Sequence, residues 1–263
     1  MLFLEEMRMN TYEHIIRGEA FLEKDQFDKA LKEFDKAIRL DPKNAVAYSR
    51  MGAAYFWQGQ HDKAIKSLSE ALKFSPMAPD YCMRGDCYSV LEQYDKAIMD
   101  FNESIRLDPD ANYLPYLGRG QAYFEIEQYE KAIKDFDKAI IFDPKYYIIY
   151  LRRGLTNVEL GQYDKAIDDF NKTIKLEPDN SENFVTYGVC GYAYLQKGEY
   201  NKAIECFDKS LKFNPDNDYS YGWRGHTYMQ LGNKEQACKD LKKALSLVPD
   251  DDDWIQGLKE LQK

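Results

Sequence analysis

The residue types that most often carry catalysis or bind metals are few in this sequence and widely spaced. Its three histidines, His14, His61 and His226, form no HxxxH or His–Cys cluster with metal-ligand spacing. The glycines occur singly rather than grouped as in phosphate-binding loops. The acidic runs at 168–169 and 250–253 look solvated, whereas acid–base catalysis needs sheltered carboxylates. The sequence therefore predicts a protein that is not an enzyme, with no catalytic site, no metal and no cofactor.

The cysteines give no sign of a redox or metal motif. There are five of them, an odd number, and none forms a CxxC pair. Free cysteine packs as a small hydrophobic residue, so we predict reduced, mostly buried thiols. These residues are Cys82, Cys87, Cys190, Cys206 and Cys238.

The charge balance argues against two classes of partner. Against 45 acidic residues there are 36 Lys and Arg, which gives a net charge of −9 among 263 residues. A chain with this charge is poorly suited to nucleic acid or to an anionic lipid surface. No apolar run is long enough to span a membrane, and the first ten residues lack a basic start. The sequence therefore predicts a cytoplasmic protein that binds neither nucleic acid nor membrane.

A fixed period decides the fold class. The tripeptide Lys-Ala-Ile/Leu recurs or nearly recurs about every 34 residues, with a glycine twelve residues before its alanine and a proline twelve after. Each interval holds two stretches of helical periodicity separated by a short polar turn, which predicts seven helical hairpins. The alanines are Ala30, Ala64, Ala97, Ala132, Ala166, Ala203 and Ala237.

The repeated glycine lies inside the first helix of each hairpin, where glycine costs about 1 kcal/mol relative to alanine. Such a cost implies close packing against a neighbouring helix. The small alanine of the second helix is the partner that we predict for it. Aromatic residues fill the remaining positions, for example Tyr48 and Tyr81 on first helices and Phe101 and Phe136 on second helices.

In type and order these residues resemble the tetratricopeptide repeat (TPR) family. The resemblance implies an all-α, right-handed superhelical solenoid over 1–263, with a C-terminal capping helix at 252–263. It also implies that the first helix of each repeat (helix A) lines a concave wall, and that the second (helix B) lines the convex side. The predicted repeats start at Thr11, Ala45, Ala78, Tyr113, Tyr147, Phe184 and Asp218.

The predicted inner surface, here called the A-helix wall, is rich in apolar side chains, whereas the B helices carry mostly charged ones. Aromatic and Met enrichment is typical of partner-binding surfaces. Alternatively, positions 5 and 12 of each repeat are buried between neighbouring A helices, which would shrink the patch. The candidate partner-binding residues are Tyr12, Arg50, Trp57, Met83, Asp86, Gln121, Phe124, Arg152, Tyr192, Tyr219, Trp223 and His226.

Arginine recurs at position 7 of five repeats and has two interpretations. A basic stripe could read RNA, as some helical-repeat proteins do. The interpretation that we favour is that each guanidinium pairs with a carboxylate of the adjoining B helix, such as Asp100, Asp135 or Asp169. The arginines are Arg17, Arg84, Arg119, Arg153 and Arg224.

The sequence thus predicts a non-catalytic protein-interaction scaffold that binds an extended or helical partner segment along the A-helix wall. The alternatives are a regulatory subunit that senses a small ligand and a module that self-associates into a homo-oligomer. In TPR co-chaperones, a clamp of Lys, Arg and Asn residues holds the acidic tail of heat-shock chaperones. Only Arg50 and Arg152 match a donor type here, and they lie in repeats two and five, so we expect no binding of such a tail.

Overall fold

The computed structural model describes residues 2–110 and 112–261, and side chains from residue 10 onward within those ranges. Over these ranges the chain forms fifteen helices and no strand, which confirms the predicted all-α solenoid class. The helices are α1 Leu2–Leu22, α2 Phe27–Leu40, α3 Ala45–Trp57, α4 His61–Phe74, α5 Ala78–Val90, α6 Tyr94–Leu107, α7 Leu114–Glu125, α8 Tyr129–Phe142, α9 Tyr147–Glu159, α10 Tyr163–Leu176, α11 Asn183–Gln196, α12 Tyr200–Phe213, α13 Asp218–Gln230, α14 Lys234–Leu247 and α15 Asp252–Leu261.

The chain divides into two compact units, Met1–Phe142 and Asp143–Lys263. Unit 1 holds α1 to α8, four helical hairpins, and unit 2 holds α9 to α15, three hairpins and one final helix. The A helices of repeats two, three, five and seven begin at the predicted residues, and those of repeats four and six begin one residue away, at Leu114 and Asn183. A single solenoid domain spanning 1–263 stays a prediction.

The tight turn within each hairpin requires one residue of left-handed backbone. Glycine takes this place in four repeats, with φ between 68° and 75°. The other three use Asp25, Glu92 and Glu127, with φ between 53° and 59°. Left-handed backbone costs a non-glycine residue about 1 kcal/mol, so packing of the two helices must hold these turns in place. The glycines are Gly59, Gly161, Gly198 and Gly232.

The mid-helix glycine packs on a phenylalanine ring of helix B in five repeats and on a leucine side chain in the other two, at Gly52 and Gly225, so the predicted alanine side chain is not its nearest partner. A Cβ on Gly120 would lie 2.7 Å from Phe136 Cε1, and one on Gly85 would lie 2.9 Å from Phe101 Cε1. Both rings are fully buried. The ring projects from helix B farther than the alanine does, and it therefore fills the space that the absent side chain leaves.

The position-7 arginines of four repeats bind the B-helix carboxylate of their own repeat, which confirms the prediction. In repeat three, Arg84 Nε and Nη2 each donate to Asp100 at 2.7 Å, and Arg84 Nη1 reaches Ser69 Oγ on the preceding B helix at 2.9 Å. Arg17 differs, because it pairs with Glu13 of its own helix at 3.4 Å. The other Arg–Asp pairs are Arg119–Asp135, Arg153–Asp169 and Arg224–Asp240.

The last helix, α15, covers the end of unit 2. Trp254 is 3% exposed and packs with Leu241 and Ala244 of α14. Its indole also lies where a side chain on Gly222 would be, 2.4 Å from the position of the missing Cβ. Acidic residues occupy the first turn of α15, where the helix dipole favours negative charge. Residues 262–263 of the predicted capping helix lie outside the described residues.

Candidate functional site

The A-helix wall exposes large apolar side chains at positions 2, 6 and 13 of its repeats. Tyr12 is 64% exposed and Trp57 is 67% exposed. Position 5 is buried in most repeats, for example at Ile15 and Leu117, and position 12 is half-buried, so the patch is narrower than the full predicted set. Further exposed members are Ile16, Val46, Val90, Leu114 and Val185.

Asp86 is the unusual charged group of this wall in unit 1. It lies on α5, three residues after Met83, and is partly buried. Among the residues that the structure describes, its carboxylate has no hydrogen-bond or ion-pair partner. Burial raises the pKa of Asp86 to about 7. Any cation that reaches this carboxylate should stabilise its ionised form, because the cost of removing the charge from water is not yet offset by a counter-charge.

The remaining candidates of unit 1 surround two half-buried aromatic groups. Trp57 meets Phe56 edge-on, with ring centroids 5.2 Å apart, and Met83 packs in the same cluster as Phe56. Phe124 lies against Tyr129 with centroids 5.6 Å apart. Gln121 is half-buried on α7. These residues give the wall half-buried aromatic and Met side chains, with the exposed indole of Trp57 beside one group of them.

Arg50 is already paired, and it borders a cavity that sequence reasoning missed. Its Nε donates to Glu19 Oε1 at 2.6 Å. The neighbouring Ser49 donates from Oγ to Asp80 Oδ1 at 2.5 Å, across repeats two and three. Burial raises the pKa of Asp80, partly opposed by the Ser49 hydrogen bond. A cavity of about 580 Å³ lies here, lined among others by Val46, Ser49, Arg50, Phe74, Met77 and Asp80.

In unit 2 the structure brings four of the candidates into one aromatic cluster. Trp223 lies 4.8 Å from Tyr192, 6.2 Å from Tyr219 and 5.5 Å from His226, measured between ring centroids. Burial raises the pKa of Tyr219 well above its usual range. Trp254 of α15 joins the cluster at 5.5 Å from Trp223. The final helix therefore already covers part of the wall in repeat seven.

His226 and Arg152 complete the candidate set. His226 is half-buried, and its Nε2, which faces Gly257 of α15, is buried with no hydrogen-bond partner among the described residues. Arg152 is exposed on α9. The sequence could not indicate the contact of His226 with α15, because nothing in the repeat pattern specifies where a final helix packs.

Two further observations bear on chemistry and location. No group of three or more His, Cys, Asp or Glu side chains is placed to hold a metal ion within the described part of the chain. In the same part, no helix has both the length and the apolar character needed to cross a bilayer.

Solved structures with the same fold include several repeat proteins. A chain of the APC/C hetero-tetramer Cut9–Hcn1 shares 16% identity at a TM-score of 0.69, over 95% of this chain and 49% of that one, so this chain spans about half its length. A tetratricopeptide repeat protein of Parabacteroides merdae shares 23% identity at 0.66, over 97% and 100%. YrrB, described as a TPR protein with an unusual peptide-binding site, shares 22% at 0.62, over 71% and 95%.

Family models match along most of the sequence. The model described as TPR repeat matches 18–59, 120–161 and 191–232. Two models described as Tetratricopeptide repeat match 45–77, 78–111 and 147–180, and 219–251. A search of curated proteins found no match. The segments 45–77, 78–111, 147–180 and 219–251 each cover one helical hairpin of the structure, and the other three join one hairpin to the next. The chain belongs to the tetratricopeptide repeat family.

Proposed function

We propose that this chain is a non-catalytic scaffold whose A-helix wall binds an apolar or aromatic partner segment that also carries a basic residue. Family membership supports a protein-interaction scaffold in general. The observation that carries the finer proposal is the combination of exposed apolar groups on A helices, Trp57 above all, with the unpaired carboxylate of Asp86.

The apolar part of the proposal follows from exposure. Burying an exposed indole in an interface stabilises the complex by roughly 25 cal/mol for each Å² of apolar surface removed from water. Aromatic anchors of this kind dominate the binding energy of protein interfaces. Trp57 and Tyr12 are therefore the anchors that we assign to unit 1.

The charged part follows from Asp86. The A-helix cation of unit 1 in the candidate set, Arg50, is held by Glu19 at 2.6 Å. A lysine or arginine of the partner would supply the missing counter-charge in an environment of low dielectric, where such a pair fixes the position of the bound segment. An acidic tail would meet repulsion at Asp86 instead.

The test is selection from a random peptide library displayed on phage, followed by titration of the recovered peptides. We expect recovered sequences to combine aromatic or aliphatic residues with Lys or Arg, and Trp57→Ser to weaken binding at least tenfold. Met99→Ser is the matched control, because Met99 is 68% exposed but lies on a B helix.

The titration also has a pH signature. A bound cation lowers the pKa of Asp86 from about 7, so affinity should rise between pH 6 and pH 8. Asp86→Asn should remove that dependence. Binding that is lost in Met99→Ser but kept in Trp57→Ser, or selection of acidic peptides, would contradict the proposal.

A small ligand is the second candidate, and the cavity beside Arg50 favours it. Its volume of about 580 Å³ lies within the range of ligand pockets, roughly 300–1,000 Å³. A metabolite library screened by thermal shift should then give ligands that Val46→Trp, which fills the cavity, no longer binds. Self-association through the wall would instead appear as a dimer in size-exclusion chromatography that Trp57→Ser dissociates.

A further inference from the structure

Repeat six replaces the Arg–Asp pair with two cysteines. Positions 7 and 23, which hold Arg84 and Asp100 in repeat three, hold Cys190 on α11 and Cys206 on α12. The two Sγ atoms are 3.9 Å apart. The residues that join the two helices by an ion pair in other repeats are therefore thiols in contact with each other here.

The two sulfur atoms are in contact but not bonded. A disulfide bond is about 2.0 Å long, so the sulfur atoms must approach by about 2 Å. Each cysteine side chain can contribute to this through its single χ1 rotation. The helices already pack closely at this level, because a Cβ on the adjacent Gly191 would lie 2.7 Å from Phe207 Cε1.

The two thiols differ in reactivity. The hydrogen bond between the Cys206 and Cys190 thiols and the nearby charge of Lys209 lower the pKa of Cys206, although burial and Glu205 oppose this. The same hydrogen bond and burial raise the pKa of Cys190 well above its usual range. Cys206 is half-buried, whereas Cys190 is 2% exposed. Cys206 is thus the group that reacts as a thiolate, and Cys190 is the second thiol beside it.

We propose that Cys190 and Cys206 are an oxidation site that a hydroperoxide converts into a reversible disulfide between α11 and α12. The Cys206 thiolate attacks one peroxide oxygen, the O–O bond breaks, and the released hydroxide takes up a proton to leave as water. Cys206 is then a sulfenic acid. The Cys190 sulfur attacks that sulfur, the S–O bond breaks, and the hydroxide leaves as water with the proton of Cys190.

The overall change is balanced. Two thiols lose two electrons and two hydrogens, and hydrogen peroxide is reduced to two molecules of water. A small-molecule dithiol reverses the change by thiol–disulfide exchange. The disulfide would link two residues that are sixteen positions apart in the sequence, and it would restrict the unfolded chain. The oxidised protein should therefore melt at a higher temperature.

The test treats the full chain with hydrogen peroxide and then with a dithiol. We expect the free-thiol count of the denatured chain to fall by two from its five and to recover on reduction. Proteolytic mapping should join the peptides of Cys190 and Cys206, while Cys82 and Cys87 stay reduced. The melting temperature should rise by several degrees in the same sample.

Two variants separate the pair from incidental oxidation. Cys206→Ser should abolish both the thiol loss and the melting shift, and Cys238→Ser should retain them. Cys190→Met, which copies Met51 at position 7 of repeat two, should leave Cys206 to proceed to a sulfinic acid. Linkage through Cys238, a disulfide between two chains, or an unchanged thiol count in the folded protein would overturn the proposal.

Discussion

At the scale of single residues, the unpaired Asp86 links stability to pH. Burial raises the pKa of Asp86 from 3.8 to about 7. Between these two pH values the native state therefore holds a proton that the unfolded chain has already released. The free energy of unfolding therefore falls as pH rises from about 4 to about 7. The native protein is therefore less stable with Asp86 ionised and uncompensated than with its charge neutralised.

The first prediction concerns this residue. Asp86→Asn should leave stability nearly unchanged at pH 4 and raise it at pH 8 by about 2 kcal/mol, because the substitution removes an uncompensated charge. Urea denaturation at both pH values measures this. The exposed Asp95→Asn is the control and should show no such difference. An equal effect of Asp86→Asn at both pH values would contradict the assigned cause.

Residue types at repeat positions predicted some of these contacts and not others. The pairing of Arg84 with Asp100 was predictable, because a guanidinium beside a neighbouring helix needs a carboxylate. Cys190 and Cys206 occupy the same two repeat positions as Arg84 and Asp100. Their spacing in the sequence does not show, however, whether the two thiols touch or are buried separately. That the Asp86 carboxylate has no ion-pair partner among the described residues is a property of the three-dimensional arrangement, which the residue type at one repeat position does not specify.

At the scale of helices, the Arg–Asp pairs join helix A to helix B within a repeat. Arg84 is 18% exposed and Asp100 7% exposed at the side chain, so the pair is largely desolvated. Removing one partner leaves a buried charge, which is costly, whereas replacing both is tolerated far better. In repeat two both partners are replaced naturally, since Met51 and Ser67 stand where repeat three has Arg84 and Asp100.

The second prediction uses that example. Arg84→Met should destabilise the protein by about 3 kcal/mol, because it leaves Asp100 buried without a counter-charge. Arg84→Met combined with Asp100→Ser should recover more than half of the loss. Urea denaturation of both variants gives the comparison. A double variant as unstable as the single one would show that packing by the arginine, rather than the buried charge, decides stability.

The third prediction concerns the final helix. Trp254→Ala should destabilise unit 2 by about 3–5 kcal/mol, because it opens a cavity over Leu241. Trp254→Phe should cost much less, since the buried indole Nε1 has no hydrogen-bond partner in the part of the chain that the structure describes, and phenylalanine removes that group. Thermal unfolding measures both, with exposed Gln256→Ala as the control. Equal losses for Ala and Phe would contradict this account of the Trp254 contacts.

The glycines show why helix packing could not be fully predicted. A recurrent glycine twelve residues before an alanine indicated close approach, and close approach is what the structure shows. The predicted nearest neighbour, the alanine side chain, was wrong, because the spacing of residues along two helices does not specify how far each helix is rotated about its axis. The position of Phe136 opposite Gly120 is a property of that rotation.

At the scale of the whole molecule, stability should be local. Within each unit, the helices in contact are one or two places apart in the chain. Chains built this way behave as a series of neighbouring interactions, in which a defect acts mainly on its own region. The fold class was predictable from the period alone, whereas the division into two compact units left no mark in the spacing of the repeats.

The fourth prediction tests this locality. With Trp57 as the only tryptophan, Arg84→Met should shift the fluorescence-detected urea midpoint of unit 1 clearly. With Trp223 and Trp254 retained and Trp57→Phe, the same substitution should shift the midpoint reported by unit 2 by less than half as much. Equal shifts from both sets of reporters would show that the whole chain unfolds as one cooperative block.

The Arg–Asp pairs also bear on how such a chain can change in length over generations. Both partners of each strong pair belong to the same repeat, and the remaining arginine N–H reaches a neutral or acidic group of the repeat before, as at Ser69, Asn102 and Asp208. Unequal recombination that duplicates or deletes one repeat therefore carries each charge together with its counter-charge. Gene rearrangement can therefore lengthen or shorten this scaffold without leaving a buried charge unpaired. Selection is then free to act on the A-helix wall.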